Sequence, residues 1–178
     1  EQVQPASLDL RLGKVAYRVR ASFLAPGGTT VAQRLDAFTM HKIDLTRGAV
    51  LEKGCVYVVP LMESLALTEG VQAVANAKSS TGRLDLLTRL ITDGGTEFDR
   101  IPAGYSGPLY AEICPRSFSV LVRPGMRLNQ IRFRRGHAVL DDPIAQTLVD
   151  RVRVVLPVVC RWIQCERATR GRGRRIVA

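Results

Sequence analysis

The chain of 178 residues is short of metal-binding and membrane-spanning material. It has two histidines, His41 and His137, and neither opens an H-x-E triplet. Its four cysteines, Cys55, Cys114, Cys160 and Cys165, have neither C-x-x-C spacing nor a disulfide-framework pattern. The usual zinc signatures are therefore missing. Cysteines used this way point to a reducing, cytoplasmic setting. No apolar run is long enough to span a bilayer, and the first residues lack a signal-peptide pattern. Glu1 is not a natural start, so further residues are expected upstream. There is no internal repeat, and no low-complexity segment precedes the last thirty or so residues.

A formal net charge of +10 invites a nucleic-acid reading, but its distribution argues otherwise. Residues 1–150 hold 18 Lys and Arg against 15 Asp and Glu. Residues 151–178 hold eight Arg against a single acid, Glu166. The body is only mildly basic, and the excess belongs to the tail. The expected division is a domain over 1–140 and an atypical basic tail over 141–178. That tail is read either as a disordered extension for an acidic partner or as a stretch translated out of frame.

What is present is short strands separated by Gly and Pro. Residues 7–12, 15–21, 49–51, 55–59, 61–67, 71–77, 109–114, 118–122 and 128–133 read as strands. A turn or two of helix fits 31–38 after Thr30, and a short helix starts near Ser80. This pattern predicts an all-β barrel or sandwich, large enough for one core.

Two stretches carry chemistry. In Lys78-Ser79-Ser80-Thr81-Gly82-Arg83 the strand ends and a helix begins. Ser79 or Ser80 is a natural N-cap, leaving free N–H groups beside two cations. An ordinary capped helix with solvated cations fits the same residues. In Leu109 to Cys114, Leu109, Ala111 and Ile113 face one side, and Tyr110, Glu112 and Cys114 the other. Glu112 is thus a mid-strand carboxylate, costly there unless paired or used. An edge-strand Glu facing water is the plainer alternative.

Taken in order, five motifs resemble those of the dCTP deaminases, at the first half of the long two-half bacterial form. They are Gln4-Pro5-Ala6-Ser7-Leu8-Asp9-Leu10-Arg11-Leu12-Gly13, the Lys78–Arg83 stretch, Tyr105-Ser106-Gly107 with Glu112, Arg123-Pro124-Gly125-Met126, and Gln130-Ile131-Arg132-Phe133. The likeness runs from about Gln4 to about His137. It implies the dUTPase-like fold, a distorted β-barrel or jelly roll with one short helix near Ser80. The activity it implies is hydrolysis of a cyclic amidine C–N bond, taking dCTP to dUTP and ammonia in pyrimidine deoxynucleotide metabolism.

The same resemblance assigns roles. Glu112 would be general base and then acid, Ser79 would position water or substrate, and Arg83 would be held against Glu112. Lys78, which stands where the family usually has Arg, would bind substrate together with Ser80, Arg100, Tyr105 and Gln130. Magnesium would travel on the triphosphate, and no zinc is expected, since the zinc deaminase signature H-x-E…P-C-x-x-C is absent. The implied partners are dCTP, with dTTP as a candidate inhibitor, and copies of the chain itself with threefold character; neither nucleic acid nor membrane is implied. Two rivals stand beside this reading. One is a dUTP diphosphatase, disfavoured because Pro102 replaces the water-orienting aspartate before the Tyr-x-Gly turn. The other is an inactive nucleotide-binding fragment.

Overall fold

In the computed structural model, which describes residues 2–135 and 138–139, every residue from Leu109 to Pro115 is buried. They belong to a long strand with neighbours on both edges, and the rest of the fold is laid around it. In chain order the strands are β1 (Val3–Gln4), β2 (Ser7–Arg11), β3 (Val15–Val19), β4 (Ala25–Pro26), β5 (Thr39–Asp44), β6 (Ala49–Leu51), β7 (Val56–Ala66), β8 (Val71–Ala77), β9 (Leu86–Gly94), β10 (Arg100–Ile101), β11 (Ser106–Pro115), β12 (Val120–Val122), β13 (Arg127–Arg135) and β14 (Ala138–Val139). Helix α1 (Val31–Phe38) precedes β5, and α2 (Ser79–Arg83) precedes β9.

One sheet runs β1-β2-β13-β8-β10, with β14 also paired to β13. The other runs β4-β9-β11-β7-β3-β5, and β12 pairs with β6 in a small third ribbon. All the pairings are antiparallel except β4 with β9. The all-β architecture read from the sequence holds.

Side chains of β11 supply all three parts of the core. Leu109 packs with Leu8, Leu10, Leu65, Leu90 and Ile131. Ala111 and Ile113 pack with Leu12, Leu45, Leu51 and Tyr57. Tyr110 points the other way, toward Phe23, Val31, Leu35 and Ile91. That last face is covered by the segment from Phe23 through α1, so β11 has no wet side. Glu112 is therefore not an edge residue; it lies between β7 and β9 at 2% exposure.

Several local readings change. The helix at 31–38 is real, making a second helix beside the one near Ser80. Thr30 caps it through a reciprocal box, its hydroxyl accepting from the Gln33 N–H while Gln33 Oε1 accepts from the Thr30 N–H. At α2 neither Ser79 nor Ser80 is the N-cap. Lys78 is, with extended backbone and no side-chain cap bond, because its own N–H still donates to the Leu128 carbonyl of β13. The strand ladder continues one residue past β8 and pushes the helix start along.

The strands expected over 55–59 and 61–67 are one strand, β7, running through Pro60. The proline, register partner of Tyr110, sits beside a register shift in β11, the kind of irregularity at which sheets accept proline. Its carbonyl accepts from the Gly13 N–H at 2.9 Å, and a Cβ on Gly13 would come within 2.5 Å of that oxygen. Besides the two-residue strands β1, β4, β10 and β14, two longer ones, β5 and β9, are absent from the sequence reading. In β9 residue type does not follow burial: apolar Leu87 is exposed, polar Thr88 is buried, and Leu90, Ile91 and Thr92 are buried in succession, so the sequence shows no period of two. The readings made for the tail over 141–178 lie outside the described residues.

Candidate active site

Glu112 has a partner fixed by the sheet itself. The register of β11 on β9 sets Arg89 directly opposite it, so the two side chains stand on the same face. Glu112 Oε1 accepts from Arg89 Nε at 3.1 Å and from Nη2 at 2.5 Å. Its Oε2 accepts from the Ser22 hydroxyl at 2.6 Å, and Ser22 Oγ in turn accepts from Arg89 Nη2 at 3.1 Å. Ser22 lies just after β3, where the chain crosses this face. The Arg89 guanidinium carbon is 3.8 Å from the centre of the Phe98 ring. Arg89 is 31% exposed while Glu112 is 2% exposed, so the pair forms one open edge of an otherwise covered strand. Such a charge-assisted bridge keeps a buried carboxylate supplied with donors.

Asp99 stands nearby with φ of 62°. Its Oδ1 accepts from the Leu90 N–H at 2.7 Å. Burial raises its carboxyl above the ordinary aspartate value, against the lowering effects of that hydrogen bond and of Arg89, with Glu112 adding to the rise.

The other expected residues lie in separate places. Lys78 Nζ donates to the carboxylate of the buried Asp9, which also has Arg127 Nη1 at 3.7 Å. Gln130 is the register partner of Asp9, and its Oε1 accepts from the Ser7 hydroxyl at 3.3 Å. Lys78 and Gln130 thus share one patch on the first sheet. Ser79, Ser80 and Arg83 are exposed on α2 beside that patch.

Among the described residues no hydrogen bond or ion pair joins this group to Glu112. The expectation that Arg83 is held against Glu112 is not met within one chain. α2 ends before β9 begins, and the guanidinium that the strand register delivers is that of Arg89. Ser22 and Arg89 were both missed by sequence reasoning. The only available signal for Arg89 was its place in an unrecognised strand, and Ser22 left no signal.

Arg100 is 69% exposed and pairs with Glu97 at 3.1 Å. With Gln72, Thr96, Pro102 and Arg134 it borders a cavity of about 550 Å³ that Glu112 does not line. A cavity of about 390 Å³ lies between α2 and the start of β9, lined by Gly82, Asp85, Leu87 and Arg116. Neither contains the carboxylate, so Glu112 is singled out by its chemistry and not by cavity size. Tyr105 is a structural pin. Its hydroxyl accepts from the Asp93 N–H at 3.3 Å and donates to the Pro108 carbonyl at 2.5 Å. Burial chiefly drives its phenol well above the usual tyrosine range.

A buried strand carboxylate in an all-β half-barrel of this topology defines the dUTPase-like class of fold. The chain belongs to the family described as the 2'-deoxycytidine 5'-triphosphate deaminase (DCD) N-terminal domain, which matches residues 1–137. It is similar to a solved 2'-deoxycytidine 5'-triphosphate deaminase from Agrobacterium tumefaciens, with 61% identity and a TM-score of 0.76. That likeness covers 84% of this chain and 45% of that one, so the chain spans less than half the length of that protein. Among curated relatives, a protein of Nocardioides sp. named "dCTP deaminase, dUMP-forming" is 28% identical over 142 residues, covering 79% of this chain and 71% of its own. One of the same name from Dictyoglomus turgidum is 26% identical over 144 residues, covering 80% and 71%.

Proposed function

We propose that the chain deaminates dCTP hydrolytically, with Glu112 as the proton-transfer group. The observation that carries this reading is the carboxylate of Glu112, buried at mid-strand yet held by Arg89 and Ser22 at an open edge, in a chain of this family. A carboxylate so placed can take a proton from water as the water oxygen bonds to C4 of the ring, and pass it to N3. It then takes the proton of the new C4 hydroxyl and delivers it to the amino group. The C4–N bond breaks, ammonia leaves and the ring is left as uracil. Atoms balance as dCTP plus water giving dUTP plus ammonia.

Lys78, Ser80 and Gln130 would seat the triphosphate, with Lys78 offering charge but no bidentate fork. Ser79 and Arg83 would meet the ring from a second copy of the chain, α2 of one copy facing Glu112 of another in an assembly of threefold character. The exposure of Ser79 and Arg83 on α2 supports this, since it leaves both side chains open to a neighbouring copy. Magnesium would arrive on the triphosphate oxygens. The cytoplasmic setting and the place in pyrimidine deoxynucleotide supply follow from the substrate.

A second reading of the product has one observation in its favour: the relatives at 26% and 28% identity are named dUMP-forming. Against it, the exposed Pro102 stands where an aspartate would orient water toward the phosphates. Incubation with dCTP and magnesium, followed by separation of dUTP, dUMP and ammonia, tests both. Ammonia with dUTP is the expected result, ammonia with dUMP and pyrophosphate replaces the product, and no ammonia at all overturns the deaminase reading.

A further inference from the structure

We infer that Arg89 is the positioning residue of this reaction, fixing Oε1 of Glu112 so that Oε2 is the oxygen that exchanges protons; the inference rests on the deaminase reading above. The two oxygens of Glu112 are held unequally. Oε1 takes both N–H donors of one guanidinium edge, at 3.1 and 2.5 Å. Among the described residues Oε2 takes only the hydroxyl of Ser22, at 2.6 Å.

A guanidinium stays protonated in proteins, so Arg89 can hold charge but cannot exchange a proton with water or a ring nitrogen. A serine hydroxyl is a single rotor and can turn away. Oε2 is thereby the oxygen that can be released to an incoming water, while Oε1 stays anchored.

Arg89 is itself anchored three ways. Its backbone pairs with that of Glu112 in the β9–β11 register. Its guanidinium stacks on Phe98 at 3.8 Å. Its Nη2 donates a further bond to Ser22. The carboxylate can rotate very little while these contacts last. Through the cycle Oε2 gains the water proton as the O–C4 bond forms, gives it to N3, takes the C4 hydroxyl proton and gives it to the departing ammonia. Arg89 remains a cation throughout and touches no reacting atom.

The partial exposure of Arg89 makes a direct test feasible, because a small cation can reach the vacated place. Arg89→Ala should lower kcat for dCTP by about 100-fold, the scale of a misplaced catalytic group, with KM within a few-fold of wild type. Millimolar guanidinium chloride should restore a measurable part of that kcat, whereas methylammonium should not. Arg89→Lys should fall between the two, having charge without the fork. Thermal melting and sedimentation of each variant accompany the kinetics.

A folded Arg89→Ala protein with kcat within threefold of wild type overturns the inference. So does a loss that follows the melting temperature and is unmoved by guanidinium and by lysine alike, which is what a merely structural ion pair would give. If wild type itself releases no ammonia from dCTP, the deaminase reading fails and this inference with it. The two failures are thus told apart by the wild-type measurement.

Discussion

Glu112→Gln keeps the size of the side chain and an acceptor but can neither take a proton from water nor return one. We expect kcat to fall by at least about 100-fold to 10,000-fold while dCTP still binds, because Lys78, Ser80 and Gln130 lie apart from the carboxylate. Equilibrium dialysis beside a turnover assay separates the two, and near-normal turnover would remove Glu112 from the mechanism. Asp99 makes a different prediction, about stability. Burial raises its carboxyl in the folded state, so the native protein binds that proton more tightly than the unfolded chain. Stability from this group is therefore lost as pH rises from the ordinary value of 3.8 through the raised one. Asparagine keeps an acceptor for the Leu90 N–H and tolerates the positive φ. Asp99→Asn should melt higher than wild type at neutral pH, with the gap closing as the solution is brought toward about pH 4. A gap independent of pH would contradict this account.

At the scale of elements, the two large sheets are tied by polar as well as apolar contacts. Glu63 on β7 accepts from the Arg11 N–H of β2 at 2.8 Å, from Arg11 Nε at 2.7 Å and from Gln2 Nε2 at 2.7 Å. Its side chain is fully buried. Glu63→Ala leaves a buried backbone donor and a guanidinium unpaired, and should cost about 3 kcal/mol. Urea unfolding with an unchanged m-value is the measurement, and a loss under about 1 kcal/mol would show that water replaces the carboxylate without strain. This tie also explains how β7 serves two neighbours. Before Pro60 it pairs with β3, and beyond it Leu61 bridges to Leu12 and Glu63 reaches Arg11. The proline marks the changeover inside one strand, where the sequence reading had placed a break.

At the scale of the whole molecule, no hydrogen bond or ion pair among the described residues joins Glu112 to the α2 residues. If α2 completes the site of another copy, two inactive variants should complement each other. Glu112→Gln mixed with Arg83→Ala would place an intact Glu112 opposite an intact Arg83 at about one interface in four when the copies assort at random. Mixing, after dissociation and reassembly, should therefore recover about a quarter of wild-type turnover, against almost none for either alone. No recovery, with mixed assemblies confirmed by mass, would place both residues in one copy's site or remove Arg83 from it.

What the amino-acid sequence determined by itself is local. The alternation over Leu109 to Cys114 put Glu112 at mid-strand, Thr30 opened a turn or two of helix over 31–38, and the change at Lys78 announced the end of a strand. Each of these depends on residues within a few positions, through the two-residue period of strands or the hydrogen-bonding of caps. Only the tertiary structure decided what Glu112 meets. Arg89 lies 23 residues upstream and Ser22 lies 90, and both reach the carboxylate through strand order and register. Register is a non-local choice, made when whole strands bury their faces together. In β9 the exposed Leu87 is apolar and the buried Thr88 is polar, so its residue types carry no alternation from which that choice could be read.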